Sequence, residues 1–211
     1  MFISFEGTEG VGKSTLIANV QHALQQKGHD VVLTREPGGT PLAEKIRQIV
    51  LEKNQEQLVN KAELLLMYAA RAQHIEQVIL PALQQQKMVL CDRFIDASMA
   101  YQHGGRGLPK SLVDVLNDNF VDCLPEITFW LDLPVEVGMQ RAKKRGELDR
   151  FEQEDIDFFQ KIHDCYAMLA EQFPQRFCRL DANLSPEQLT EQALKHIAEK
   201  LALKSADKIT G

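Results

Sequence analysis

The stretch Gly7-Thr8-Glu9-Gly10-Val11-Gly12-Lys13-Ser14 constrains this chain more than any other. It follows a short apolar run, Phe2-Ile3-Ser4-Phe5, and leads into a segment of helical period over about Ser14–Lys27. A Gly-x-x-x-x-Gly-Lys-Ser sequence between a strand and a helix is a phosphate-binding loop. Its glycines let successive backbone N–H groups turn inward around a phosphate, and the helix N-terminus behind them adds positive potential. The pattern predicts that the loop and Thr15 contact ATP, with Lys13 bridging the β- and γ-phosphates and Ser14 ligating Mg²⁺. The bland alternative is a glycine turn with a solvated lysine.

Beyond the loop, short β-rich runs alternate with helical stretches. Gly28 ends the first helix, and Val31-Val32-Leu33-Thr34 forms a strand closed by the turn Glu36-Pro37-Gly38-Gly39. Helices are expected at about Pro41–Leu51 and Lys61–Gln86, the second opened by Asn60 and Glu63 as a capping pair. Met88-Val89-Leu90-Cys91 is a third strand, ending at Asp92-Arg93; a short helix follows, and the three glycines of Gln102–Pro109 predict a loop. Ile127–Leu131 and Phe177–Leu180 are further strands, and Leu184–Leu203 is a terminal helix capped by Ser185-Pro186. Alternation of this kind predicts a parallel sheet with helices on both faces and ligands beyond the carboxyl ends of the strands. One α/β domain over residues 1–203 is expected, with a tail at 204–211.

Composition narrows the partners. A net charge of −6 over 211 residues argues against a nucleic-acid surface, so phosphate binding needs cations gathered locally. Cys91, Cys123, Cys165 and Cys178 form no CxxC pair, which favours reduced thiols over a zinc site. With no apolar run of about 18–20 residues and no charged-then-apolar leader, a soluble cytoplasmic protein without membrane contact is expected.

A phosphate loop serves switches and motors as well as kinases, so the reaction class must come from elsewhere. Asp92, straight after a strand, suits a group that holds Mg²⁺ through water, or one that caps the next helix. No aspartate has a glycine three residues later, so the Asp-x-x-Gly switch motif is missing, and Asn60-Lys61-Ala62-Glu63 is a poor guanine-reading match. Arginines stand out instead. Arg35 and Arg93 directly follow strands, where they pair with a ligand or with surface acids. Arg71 shares a helical stripe with Leu64, Met67, Tyr68, Ile75 and Val78, so its charge needs an acceptor, either a ligand carbonyl or an internal carboxylate. Arg141, Lys143 and Lys144 read as an ordinary helix end or as part of a basic cluster. Arg145 and Arg150 flank Gly146-Glu147-Leu148, a design for a lid over about 143–152 that closes on ATP.

Together these residues resemble the thymidylate kinase family in its bacterial form, over nearly the whole chain from Phe2 to about Leu201. The resemblance rests on Phe5-Glu6-Gly7, Thr34-Arg35-Glu36-Pro37-Gly38-Gly39-Thr40, Tyr68-Ala69-Ala70-Arg71, Asp92-Arg93-Phe94, Tyr101-Gln102 and Arg145-Gly146-Glu147-Leu148-Asp149-Arg150. It implies an α/β P-loop nucleoside monophosphate kinase fold with a five-stranded parallel sheet, a homodimer, and transfer of the ATP γ-phosphate to dTMP. It also implies that Arg93 binds the dTMP phosphate with Arg35 nearby, and that Arg71 reads a thymine carbonyl. By the same resemblance Tyr101 crowds a ribose 2′-hydroxyl, Ser98 and Gln102 line the base or sugar, and Glu9 contacts the sugar hydroxyl. Met67 stands where many members have an aromatic residue that stacks on thymine. The loop lacks the arginine some members carry there, which assigns that charge to Arg145 and Arg150. The competing expectations are a switch or regulatory ATPase without an acceptor, and a kinase acting on UMP, CMP or thymidine.

Overall fold

The computed structural model describes residues 1–52, 56–144 and 150–210, with side chains to 204. The expected parallel sheet is present. Strands β1 (Phe2–Glu6), β2 (Val31–Arg35), β3 (Met88–Asp92), β4 (Ile127–Asp132) and β5 (Phe177–Asp181) run parallel in the order β2-β3-β1-β4-β5. Strand β1 is central and wholly buried, which is why it reads as an unbroken apolar run rather than an alternation. Its one polar side chain before the terminal acid, Ser4, shares a 3.0 Å hydrogen bond with Thr128 on β4.

Helices α1 (Lys13–Gln26) and α9 (Pro186–Thr210) cover one face. Leu16, Ile17, Val20 and Leu24 of α1 meet Leu189, Ala193 and Ile197 of α9 over Ile3, Phe5 and Phe129. The other face carries α3 (Asn60–His74) and α8 (Ile156–Gln172), whose Tyr68, Phe159, Ile162 and Tyr166 pack with Trp130. Helices α2 (Pro41–Leu51), α4 (Leu80–Gln84), α5 (Ile95–Ser98), α6 (Lys110–Phe120) and α7 (Val135–Lys143) complete the described α-helices. Helix α2 has the bounds its period predicts, because Thr40 accepts from the Ala43 N–H at 3.1 Å and Pro41 takes the first position. Among the described residues no helix is long and apolar enough to cross a membrane.

Four local expectations need correction. The stretch Lys61–Gln86 is not one regular helix, because a π-helical turn at Ile75–Ile79 separates α3 from α4. Pro81 has no N–H to give, and a wider turn before it relieves the clash with the preceding carbonyls. Asn60 and Glu63 are not a capping pair: Val59 holds the cap position without a side-chain bond, and Glu63 is fully buried elsewhere. The glycines after Tyr101 do not make a loop throughout, since Met99–Gly105 is π-helical. Their small size serves packing, because a Cβ on Gly105 would lie 2.5 Å from Phe158 of α8. Helix α9 also continues to Thr210 rather than stopping at Leu203.

Candidate active site

The carboxyl ends of the three adjacent strands β2, β3 and β1 bring the motifs together. In the sheet register Arg35 lies beside Asp92, and Asp92 beside Phe5. A cleft of about 790 Å³ opens above them. It is lined by Glu9, Gly10, Val11, Gly12, Lys13, Ser14 and Thr15 on one side, and by Arg35, Met67, Arg71, Asp92, Arg93, Ser98, Tyr101 and Gln102 on the other. Gly7 and Thr8 lie beneath the loop, where their carbonyls accept from Lys13 Nζ at 3.0 and 2.8 Å. Burial, and then the charge of Arg93, hold the Lys13 pKa below the ordinary lysine value. The N-terminus of α1 has no side-chain cap, so its first N–H groups face whatever occupies the loop.

Arg93 crosses from β3 to this loop. Its backbone is left-handed, with φ of 70°, which is uncommon for a residue with a side chain. Its Nη1 donates to Gly7 O at 3.0 Å, its Nη2 to Glu9 Oε1 at 2.5 Å, and its guanidinium stacks 4.8 Å from the Tyr101 ring centre. Burial opposes its charge, yet Tyr101 and Glu9 beside it raise its pKa well above the usual value. The Tyr101 hydroxyl donates to the same Glu9 oxygen at 3.0 Å. Glu9 therefore joins the loop to Arg93 and Tyr101.

Arg71 meets the internal carboxylate, one of the two acceptors its helical position called for. Its Nε donates to the buried Glu36 carboxylate at 2.7 Å, and its Nη2 to Phe94 O at 3.1 Å and Ser98 Oγ at 2.9 Å. Its Nη1 is buried with no hydrogen-bond partner among the described residues, at a residue that lines the cleft. Arg35 forks onto Glu44 at 2.9 and 3.2 Å, and Gln102 donates to Glu63 at 2.9 Å. Asp92 Oδ1 is also buried with no hydrogen-bond partner among the described residues. That orphan oxygen and the Ser14 hydroxyl line one cleft, and such hard oxygen donors fit Mg²⁺, which takes one or two protein ligands and fills the rest with phosphate and water.

The lid reading is only partly visible. Arg145 lies outside the described residues. Arg150 does not line the cleft; it donates to Val50 O at 2.8 Å and to Glu63 at 2.6 Å. Phe151 and Glu152 after it do line the cleft. Sequence reasoning missed Arg47 and Arg141 as cleft cations. Arg47 sits on α2 among exposed neighbours, and no local signal separates it from a solvated face; only its bond to Pro37 O at 3.0 Å betrays it. Among the described residues six cations and four acids line the cleft, a local positive excess in a chain of net charge −6.

Comparison with known proteins gives one consistent result. The family model described as thymidylate kinase matches residues 5–193. Thymidylate kinase from Acinetobacter baumannii strain AYE is 58% identical over 199 residues, covering 94% of this chain and all of the relative. That from Teredinibacter turnerae is 50% identical over 182 residues, covering 86% of this chain and 89% of the relative. Among solved structures, thymidylate kinase from Ehrlichia chaffeensis is 34% identical with a TM-score of 0.76, covering 93% of this chain and 98% of that one.

Proposed function

The chain belongs to the thymidylate kinase family, an ATP-dependent phosphotransferase family that converts dTMP to dTDP, and we propose how its cleft performs that transfer. One observation carries the reading. A single cavity holds a phosphate loop and, facing it, a second set of arginines that an ATP-binding switch would not need.

ATP lies with its β- and γ-phosphates in the loop, within reach of Lys13 and the α1 N-terminus. Ser14 and, through water, Asp92 would hold Mg²⁺, which when bound would supply neutralising charge to those phosphates. The dTMP phosphate displaces Glu9 from Arg93, and Arg35 stands nearby as a second cation. Freed in this way, Glu9 accepts from the sugar hydroxyl, and Tyr101 crowds the position of a ribose 2′-hydroxyl. Arg71 Nη1 donates to a base carbonyl, Met67 packs its thioether on the ring, and Ser98 and Gln102 border base and sugar. An oxygen of the dTMP phosphate then attacks the γ-phosphorus while the bond to ADP breaks. That oxygen is already anionic, so no strong base is needed, and alignment with charge neutralisation supplies the rate. Arg145 and Arg150 bring further cations when the lid over 143–152 closes. Arg150 must leave Glu63 to do so. We also infer a cytoplasmic homodimer that does not bind nucleic acid; exposed leucine, isoleucine and valine side chains on α2, α3 and α6 support the dimer.

Turnover with ATP and Mg²⁺ against dTMP, dUMP, UMP and thymidine tests the reading. Preference for dTMP is expected, and Arg93→Ala should lower turnover by about two orders of magnitude or more in a folded protein, as losing a transition-state donor does. Equal rates on all four acceptors would reject the substrate, and near-normal turnover of Arg93→Ala would reject that residue's role.

A further inference from the structure

Arg71 is immobilised more completely than a residue that only packs would be. It is 3% exposed, and its guanidinium lies 4.6 Å from the Tyr68 ring centre and 5.5 Å from that of Phe94. Three in-plane bonds, to Glu36, Phe94 O and Ser98, fix its rotation and leave Nη1 unmatched among the described residues. The bond to Glu36 is the charged one, so the angle of the Glu36 carboxylate sets the direction of Nη1.

Something must set Glu36 in turn. Its second oxygen, Oε1, faces His74 Nδ1 at 3.0 Å, and His74 Nε2 lies 2.6 Å from Thr34 Oγ1. A carboxylate only accepts, so Nδ1 carries a hydrogen and donates to Glu36. Thr34 satisfies Nε2 in either charge state of the ring, as donor to a neutral imidazole or acceptor from a charged one. His74 is fully buried, and the backbone of Gly39 closes over it: a Cβ there would lie 2.4 Å from the ring and 2.7 Å from Thr34 Oγ1. The relay thus ties the end of β2, the glycine turn and the end of α3 to a single guanidinium.

We propose that His74, held by Thr34, is a positioning residue for the acceptor: through Glu36 it aims Arg71 Nη1 at the base carbonyl. This rests on the reading above, in which Arg71 contacts the base. The relay touches neither the phosphate loop nor Arg93, so its loss should weaken acceptor binding and leave ATP binding and chemistry alone.

Steady-state kinetics and thermal melts of four single variants, and of two double variants in the Arg71→Ala background, test it. His74→Leu should raise the KM for dTMP about 10-fold, the size expected when a charged hydrogen bond loses its geometry. Its kcat and KM for ATP should change less than about 3-fold. His74→Asn, which keeps an N–H near Nδ1, should recover most of the loss, and Thr34→Val should give a smaller rise of the same kind. In the Arg71→Ala background, His74→Leu should add nothing to the dTMP KM. If His74→Leu does not fold, Thr34→Val alone and in the Arg71→Ala background decides the matter by the same criteria. Parallel losses in kcat, both KM values and melting temperature would show a merely structural network and overturn the proposal. A raised dTMP KM in Arg71→Ala with none in His74→Leu or Thr34→Val would reject the relay alone. An unchanged dTMP KM in Arg71→Ala would reject the base reading beneath it.

Discussion

Glu6, at the end of β1, is fully buried and yet, among the described residues, forms no ion pair. Its Oε1 accepts from the Phe94 N–H at 2.8 Å and its Oε2 from the Tyr166 hydroxyl at 2.8 Å. Burial, and then the negative charge of Asp96, raise its pKa to about 8, against the opposing pull of Arg93. The acid therefore holds the residue after Arg93 in place while carrying a proton at neutral pH. The sign follows from linkage. Unfolded, the group titrates near 4.5, so between 4.5 and about 8 the folded state binds more protons, and stability from this group falls as pH rises. Glu6→Gln keeps the shape and removes the titration. The melting temperature of the variant should gain on the parent steadily between pH 4.5 and about 8, then stay parallel above it. A difference independent of pH would sink this account. Nothing near Glu6 in the sequence announces such burial, since a strand-end acid before a glycine loop reads as exposed. The cause is Tyr166, 160 residues away. The arginines were legible for the opposite reason: Arg71 breaks its own helical stripe, and Arg35 and Arg93 abut strand ends, so local pattern alone marks them.

At the scale of elements, the glycine loop depends on a helix that its motif does not mention. Helix α7 carries Gly138, whose carbonyl faces Gly10 so closely that a Cβ on Gly10 would lie 2.0 Å from it. A Cβ on Gly138 itself would lie 2.6 Å from Glu9 O, which is backbone and cannot swing aside. Gly138 in a helix interior costs about 1 kcal/mol relative to alanine, and the loop contact explains why glycine stands there. Gly138→Ala should push the loop off its seat. We expect the KM for ATP to rise about 10-fold and the melting temperature to fall by several degrees, as overpacking by about 1–3 kcal/mol implies. An unchanged ATP KM would show that the loop does not rest on α7. Period and punctuation gave β1, α1, β2 and α2 nearly to the residue because each has a local stop, such as Gly28 or Thr40-Pro41. The π-helical turns were illegible because their causes differ in kind. Pro81 widens a helix that its apolar stripe continues, while Gly104 and Gly105 imitate a loop when they are making room for α8.

At the scale of the whole molecule, the question is what covers the side chains of α2, α3 and α6 that face away from the sheet. Helix α2 packs on α3 and α3 on α6, so the three form one continuous layer. Leu42 and Ile49 on α2, Leu65 on α3, and Leu112, Val115 and Phe120 on α6 are all exposed, Leu65 at 60% and Val115 at 57%. A monomer rarely leaves such a layer bare, whereas dimer cores are apolar and cover about 800 Å² per partner. The layer also lies behind the site, because α3 presents Met67 and Arg71 to the cleft and Leu65 to the outside. A second copy seated there would brace the helix that reads the base. Light scattering at micromolar concentration should therefore give twice the chain mass of 23.9 kDa. Leu65→Glu and Val115→Glu should each shift the protein towards the monomer without unfolding it, because a carboxylate buried unpaired in an interface is strongly unfavourable while at an exposed helix position it is not. In the monomeric variants the KM for dTMP should rise more than the KM for ATP, since α3 and not the phosphate loop loses its support. A parent protein of single-chain mass at every concentration would remove the dimer, and with it the bracing of α3.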